Sequence, residues 1–241
     1  MSRNTHSCLN LFYQPGISDA ILHLDAAESR HVVKVLRKKK GDVIQLTDGK
    51  GFLYDCQITV ADADHCAFQI LKTQEAAKRD YQVHIAISLL KNSDRLEWFV
   101  EKSIEFGIDE ITLLHCHHTE KQFLKMERLE KIAISAMKQS LTMDLPRLHG
   151  PLPFDKFVTQ PFTGGKFIAH VDHENQTHLQ AAVVPRGACV VMIGPEGDFS
   201  TAELALAAQH NFTKVSLGAS RLRTETAGIA ACHIVNLVNT R

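Results

Sequence analysis

The sequence predicts an α/β protein with two domains, a small N-terminal domain rich in β-strands and a larger C-terminal domain built on a parallel sheet. Up to about residue 75, apolar and polar residues alternate with a period of two, which indicates half-buried strands. From His84 onward, short apolar runs alternate with amphipathic segments, as in sheets whose parallel strands are joined by helices. We therefore predict domains at residues 1–74 and 75–241, with the polar segment 73–80 as the linker.

The N-terminal domain is predicted to consist of antiparallel strands joined by hairpins. The candidate strands are Val43–Thr47, Phe52–Val60 and Cys66–Leu71, and the turn Asp48–Gly51 separates the first two. Ala27–Leu36 has apolar residues at helical spacing. The pattern is that of a short helix attached to a small β-barrel.

The C-terminal domain begins with a buried strand at His84–Leu90, followed by a helix with clear end signals. Asp94 is the predicted cap, Glu97 stands at the capping-box position, and Gly107 ends the helix. The same alternation predicts strand Ile108–Leu114, helix Glu127–Ser140, strand Lys166–Val171, helix His178–Val183, strand Cys189–Ile193, helix Ser200–Gln209, strand Thr213–Leu217 and helix Thr224–Val238.

Composition is that of a folded, enzyme-sized globular protein, for which we expect a reducing, cytoplasmic location. Of 241 residues, 44% are hydrophobic and 22% charged, and 27 basic residues balance 27 acidic ones. An anionic partner must therefore be attracted by a local basic patch. The six cysteines contain no C-x-x-C pair, and no apolar run is long enough to span a membrane.

Two loops that follow strands are the candidates for ligand binding, because ligands of open α/β sheets bind beyond the carboxyl ends of the strands. The first, Gly194–Ser200, contains glycines that permit close backbone approach; a tight connection without a ligand is the alternative. The second, Leu217–Ala227, leads into a helix N-terminus, which favours polar and anionic groups. Neither loop matches a dinucleotide-binding or P-loop motif.

The residues of these loops resemble a known signature. Gly194-Pro195-Glu196-Gly197 with Phe199, Ser200 and Glu203, followed by Leu217-Gly218 and Leu222-Arg223-Thr224-Glu225-Thr226-Ala227, is similar to the SPOUT methyltransferases and, within them, to the RsmE family. That family methylates N3 of a uridine in small-subunit ribosomal RNA. His31–Arg37 with Gly41-Asp42 resembles the family's PUA-like domain, and Lys91, Arg95, Glu97, Glu101, Lys102, Glu105 and Gly107 match its first C-terminal helix.

The resemblance implies S-adenosylmethionine (SAM) as cofactor, a trefoil knot in the C-terminal SPOUT domain, a homodimer, and small-subunit (16S) ribosomal RNA, within an assembled particle, as substrate. A knot is a rare exception to the rule that chains do not thread loops. The sequence departs from the family pattern in three places. Asp198 stands where a second glycine is usual, Ser220 where an arginine is frequent, and Leu11 where an N-terminal arginine is common.

We assign three groups of candidate site residues. Cofactor-binding candidates are His170, Ile193, Gly194, Pro195, Glu196, Gly197, Ser216, Leu217, Gly218, Leu222, Arg223, Thr224, Thr226 and Ala227. Arg223 is expected to stabilise the uridine anion, and Glu196 or Glu225 accepts its proton or braces the loop. RNA-binding candidates are Arg30, His31, Lys34, Arg37, Lys38, Lys91 and Arg95. For the basic residues, a solvated surface or surface ion pairs are the alternative.

Two other patterns are interpreted as structural. The cluster His115–His118, with His170 and His173, lacks the remaining ligand spacings of a zinc site, so no metal is predicted. Trp98 is expected to pack in the fold rather than to stack on a base. The competing functions are methylation of transfer RNA or of a ribose hydroxyl, a non-catalytic RNA-binding assembly factor, and a small-molecule oxidoreductase, which the missing dinucleotide motif disfavours.

Overall fold

The computed structural model describes residues 10–120, 125–170 and 177–240, which form two units. The first unit contains residues 10–78 together with Met137–Leu145. The second contains Arg79–Ala136 and the described residues from Pro146 onward. The inclusion of residues 137–145 in the first unit has no counterpart in the sequence pattern.

The N-terminal unit is built on a four-stranded sheet with the order β1-β2-β3-β4. Its strands are β1 (Leu11–Tyr13), β2 (Val43–Thr47), β3 (Phe52–Val60) and β4 (Ala67–Glu75). β2, β3 and β4 are antiparallel, as predicted, whereas β1 was not predicted and pairs parallel with β2. The predicted linker begins too early, because residues 73–75 pair with residues 52–54 and continue β4.

A short helix covers this sheet where the sequence predicts one. Helix α1 (Ala26–Arg30) begins at Asp25, whose side chain accepts a hydrogen bond from the amide of Glu28, and continues into one π-helical turn at His31–Val35. Val32 from that turn is fully buried. It packs in an apolar core with Phe12, Ile17, Leu24, Ile44, Leu46, Ile58 and Phe68.

The C-terminal unit is built on a six-stranded sheet in which every pairing is parallel, as the sequence predicts. The strands are β5 (Gln82–Ser88), β6 (Glu110–His115), β7 (Arg147–Pro153), β8 (Gly165–Ala169), β9 (Ala188–Ile193) and β10 (Thr213–Val215). Their order is β10-β8-β9-β5-β6-β7. The knot implied by the resemblance stays a prediction.

A helix follows each of these strands. The short helix after β7 was not predicted, and the other five agree with predicted helices. The six helices are α2 (Ser93–Phe106), α3 (Met126–Ser140), α4 (Phe154–Val158), α5 (Leu179–Ala182), α6 (Thr201–Gln209) and α7 (Thr224–Asn239). The predicted cap Asp94 is wrong, because Asn92 accepts the hydrogen bond at that helix start. The capping box of Ser200 and Glu203 is confirmed, and Gly107 ends α2 in the left-handed conformation.

A buried histidine lies near the amino-terminal end of β5, an inner strand of the sheet. His84, on β5, is 8% exposed, and its Nε2 lies 2.8 Å from the hydroxyl oxygen of Thr112. The ring of Phe157 meets its ring edge-to-face at 5.6 Å. Burial lowers the pKa of His84 to about 4, although the nearby carboxylate of Glu110 acts in the opposite direction.

We expect the free energy of unfolding to decrease as the pH falls from about 6.5 to about 4, because the unfolded chain then protonates His84 and the folded chain does not. The expected loss attributable to this group is about 3 kcal/mol. Urea unfolding between pH 7.5 and 4.5 measures it. His84→Gln should flatten this part of the profile, whereas His233→Gln, at an exposed position, should not. Equal profiles for the wild type and His84→Gln would contradict the assignment.

Candidate functional site

A cavity of about 420 Å³ lies at the carboxyl ends of β8, β9 and β10, which are neighbours in the sheet. Because parallel strands end at the same edge, three loops that are distant in sequence meet there. The cavity is lined by Ala169 and His170 at the end of β8, by residues 193–196 and 198 around the end of β9, and by residues 215–224 and Ala227 around the end of β10 and the start of α7.

Hydrogen bonds fasten the loop after β9 to the loop after β10. The hydroxyl of Thr224 donates to the carbonyl oxygen of Gly194 at 2.9 Å. The guanidinium of Arg221 lies 3.5 Å from the carbonyl oxygen of Glu196. Thr224 is only 5% exposed, so the first contact is partly shielded from water and helps to hold the two loops together.

Glycines at the two loops serve different physical purposes. A Cβ on Gly194 would lie 3.0 Å from the ring of Phe199, so a side chain there would displace the packing under the loop. Gly218 has φ +136°, a conformation that L-residues rarely adopt, and no atom lies within 4 Å of the place of its Cβ. The backbone at Gly218 is therefore open to a ligand that approaches closely.

Most of the predicted cofactor residues line this cavity. Gly197 and Thr226 are the two that do not; a Cβ on Gly197 would lie 3.1 Å from the Cβ of His118. The lining also contains residues that the sequence analysis did not assign to the cofactor, namely Ala169, Asp198, Val215, Ala219, Ser220 and Arg221. Their positions next to the assigned residues were the available signal, and Asp198 and Ser220 are two of the three departures from the family pattern.

The three candidate catalytic residues have different environments. Arg223 and Glu196 are exposed and line the cavity. Glu225 is 5% exposed, lies outside the lining, and has its Oε1 3.8 Å from the Nε of Arg95. This arrangement favours a bracing role for Glu225, while Glu196 and Arg223 are placed where a bound molecule could meet them.

Contacts of two histidines with Asp198 connect the loops that follow β6, β8 and β9. Nδ1 of His170, on the loop after β8, lies 2.9 Å from Oδ2 of Asp198 on the loop after β9. Nδ1 of His118, on the loop after β6, lies 2.9 Å from the backbone oxygen of Asp198. Among the residues that the structure describes, no group of three or more His, Cys, Asp or Glu side chains is arranged to hold a metal. His173 lies outside the described residues.

The candidate RNA-binding residues lie on both units. In the N-terminal unit, Lys34 and Arg37 are exposed, Arg30 forms an exposed ion pair with Asp64 at 2.8 Å, and the half-buried His31 contacts the ring of Phe12. Lys38 is half-buried in the same segment. In the C-terminal unit, the ammonium of Lys91 lies 2.9 Å from a carboxylate oxygen of Glu120, and Arg95 pairs with Glu225. No helix in the described part of the chain is long and apolar enough to cross a membrane.

The sheet, its three converging loops and the attached β-rich unit define a class of protein, the RNA methyltransferases. A family model described as "RNA methyltransferase domain" matches residues 77–236, and one described as "RNA methyltransferase PUA domain" matches residues 24–71. The chain belongs to this RNA methyltransferase family, in the branch named ribosomal RNA small subunit methyltransferase E.

Individual relatives agree over nearly the whole chain. The ribosomal RNA small subunit methyltransferase E of Synechocystis sp. is 31% identical over 237 residues, which cover 91% of this chain and 74% of that protein. A "probable rRNA-methyltransferase" from Porphyromonas gingivalis is 38% identical, with a TM-score of 0.90 over 96% of this chain and 99% of that one. A Legionella pneumophila protein solved with bound SAM is 28% identical, with a TM-score of 0.84 over 95% of this chain and 97% of that one.

Thr224→Val should lower the free energy of unfolding by about 1–2 kcal/mol, because the part-buried carbonyl of Gly194 loses its hydroxyl donor while the side-chain shape is kept. Chemical denaturation with urea measures the change. Thr201→Val, at an exposed position on α6, is the matched control and should change stability by less than about 0.5 kcal/mol. Equal stability of both variants would show that the Thr224 hydroxyl does not fasten the loops.

Proposed function

We propose that this protein transfers a methyl group from SAM to N3 of a uridine in small-subunit (16S) ribosomal RNA. The observation that carries the proposal is the cavity at the carboxyl ends of β8, β9 and β10, where the Thr224–Gly194 hydrogen bond joins two of the lining loops. Its lining includes all but two of the residues that the methyltransferase resemblance assigns to the cofactor. The names of the relatives and the SAM bound to the Legionella protein support the same assignment.

The residues present fit SAM in size and in chemistry. A cavity of about 420 Å³ is in the range that encloses a small cofactor. The lining combines exposed backbone groups at Gly194 and Gly218 with the apolar side chains of Ile193 and Leu222. Polar backbone suits a ribose and an amino-acid group, and apolar surface suits an adenine ring. When bound, SAM supplies an electrophilic methyl group on a sulfonium.

The protein must prepare the acceptor, because N3 of a neutral uridine carries a proton and is a poor nucleophile. Loss of that proton spreads negative charge onto the two flanking carbonyl oxygens. Arg223, exposed at the cavity and located just before α7, can stabilise that charge with a fixed cation, and the N-terminal end of α7 adds to the same potential. Glu196, exposed on the opposite loop, is the proposed proton acceptor.

The basic segment at residues 30–40 is the proposed grip on the RNA backbone. It contains Arg30, Lys34, Arg37, Lys38, Lys39 and Lys40 and no acidic residue. Such clusters bind phosphates by releasing condensed counterions, without reading the base sequence. We therefore propose that the basic segment and the shape of the RNA together select the substrate. The proposed form of that substrate is an assembled ribosomal particle in the cytoplasm.

We also propose that the protein is a homodimer. Helices α2 and α7 pack against each other, and three large apolar side chains on them are exposed: Trp98 at 46%, Phe106 at 41% and Leu237 at 39%. Trp98 was predicted to pack in the fold, and its exposure in a single chain does not agree with that prediction. A second copy of the chain is the partner that would cover these side chains.

The proposal is tested by incubating the protein with SAM carrying a labelled methyl group and small ribosomal subunits from a strain without the gene. Mass spectrometry of the nucleosides should detect labelled N3-methyluridine in 16S RNA. Label at another uridine atom would refute the assigned position. In a parallel reaction with transfer RNA from the same strain, label in transfer RNA together with none in 16S RNA would refute the substrate. Absence of SAM binding by calorimetry would refute the enzymatic role.

Arg223→Ala should reduce the methylation rate by roughly two orders of magnitude or more, since removal of one group that stabilises a developing anion has effects of that size. Circular dichroism should show normal folding. Arg186→Ala is the matched control, because Arg186 is exposed and its guanidinium lies 3.5 Å from a surface carboxylate of Asp80. Full turnover by a folded Arg223→Ala variant would end the assignment of Arg223.

Lys34→Ala should weaken RNA binding and reduce the slope of log affinity against log salt concentration by about 1, as expected for one lost phosphate contact. Lys72→Ala, also exposed on the N-terminal unit but outside the basic segment, should leave the slope unchanged. Filter binding at four salt concentrations measures both. If the two variants behave alike, residues 30–40 form an ordinary solvated surface.

A further inference from the structure

Asp198 connects three loops at the edge of the cavity. Its Oδ2 lies 2.9 Å from Nδ1 of His170, and its Oδ1 accepts a hydrogen bond of 2.7 Å from the amide of Phe199. Its backbone oxygen lies 2.9 Å from Nδ1 of His118, and its own amide donates to the carbonyl oxygen of Pro195 at 2.9 Å. One residue therefore contacts the loops that follow β6 and β8 from the loop that follows β9.

The backbone of Asp198 is in a conformation that few residue types other than glycine adopt. Its φ is +62°, in the left-handed region where a glycine is the unstrained choice. Glycine is also the residue that the resemblance leads one to expect at this position. Aspartate is one of the few other residue types that tolerate this region, and unlike glycine it places a carboxylate at the edge of the cavity.

The carboxylate of Asp198 determines which ring nitrogen of His170 is available to a bound ligand. A carboxylate accepts only, so the proton of a neutral imidazole lies on Nδ1, and Nε2 is then a hydrogen-bond acceptor. His170 lines the cavity, and its side chain is 18% exposed. The pair consequently presents an oriented acceptor to donors such as ribose hydroxyls or an ammonium group.

We infer that Asp198 is a positioning residue of the cofactor site, which orients His170 as a hydrogen-bond acceptor for SAM and ties it to the glycine-containing loop. This inference rests on the proposed binding of SAM in the cavity. The alternative is that Asp198 only fastens the loops together, through Phe199 and His118, with no effect on the cofactor beyond correct folding.

Two substitutions separate the alternatives. Asp198→Gly removes the carboxylate and relieves the left-handed strain, so the urea midpoint should stay close to that of the wild type. Asp198→Asn keeps an oxygen that can accept from Nδ1 and is a residue that tolerates the left-handed conformation. We expect calorimetry to show SAM binding weakened about tenfold by Asp198→Gly, the size of one charge-assisted hydrogen bond, and largely retained by Asp198→Asn.

A double-mutant cycle with His170→Phe identifies the residue through which Asp198 acts. If the carboxylate works by orienting His170, Asp198→Gly should have little further effect on SAM affinity once the imidazole is gone. Additive losses in the cycle, or unchanged affinity in Asp198→Gly, would overturn the inference. Failure of the wild-type protein to bind SAM would instead refute the proposed function, so the two failures are distinguishable.

Discussion

The hydrogen bond from the Thr224 hydroxyl to the carbonyl of Gly194 joins two loops whose sequences lie 30 residues apart. That contact exists because β10, β8 and β9 are adjacent and parallel, so that the segments following them emerge at one edge of the sheet. The cavity, the candidate catalytic groups and the connection through Asp198 all depend on this convergence. A different strand order would leave the same residues without a common ligand.

The charged residues at this edge of the sheet differ in burial, and this difference indicates different roles. Arg223 and Glu196 remain exposed and line the cavity, whereas Glu225 is buried beside Arg95. A buried carboxylate is costly without a cation, so the Arg95–Glu225 contact is one that the start of α7 requires. The exposed pair can instead change its interactions when a substrate arrives. This difference supports the proposal that Arg223 and Glu196 take part in the chemistry and that Glu225, in the first turn of α7, braces the structure.

Much of this arrangement could be predicted from local patterns. The apolar runs of β5 and β9 and the capping box at Ser200 and Glu203 follow from burial and from short-range hydrogen bonding, which sequence spacing records directly. The two glycine-containing loops were found because they follow such strands. The resemblance to methyltransferases then supplied the cofactor, which no periodicity could indicate.

Features that depend on distant partners were missed. β1 is three residues long, and β7 contains Gly150, Pro151 and Pro153, which a strand tolerates here because it lies at the edge of the sheet. The cap at Asn92 is a local feature and was missed for a different reason. Asp94 lies two residues away, and both residue types are good caps. The contact of Asp198 with His170 spans 28 positions in sequence and required the fold to reveal it.

The claim that both loops hold one methyl donor is tested most directly by hydrogen–deuterium exchange of the full-length protein with and without SAM. The account predicts that SAM slows amide exchange in residues 193–199 and 216–224 together, with little change in the N-terminal unit's residues 43–75. Protection of only one of the two loops, or protection confined to other parts of the chain, would contradict it.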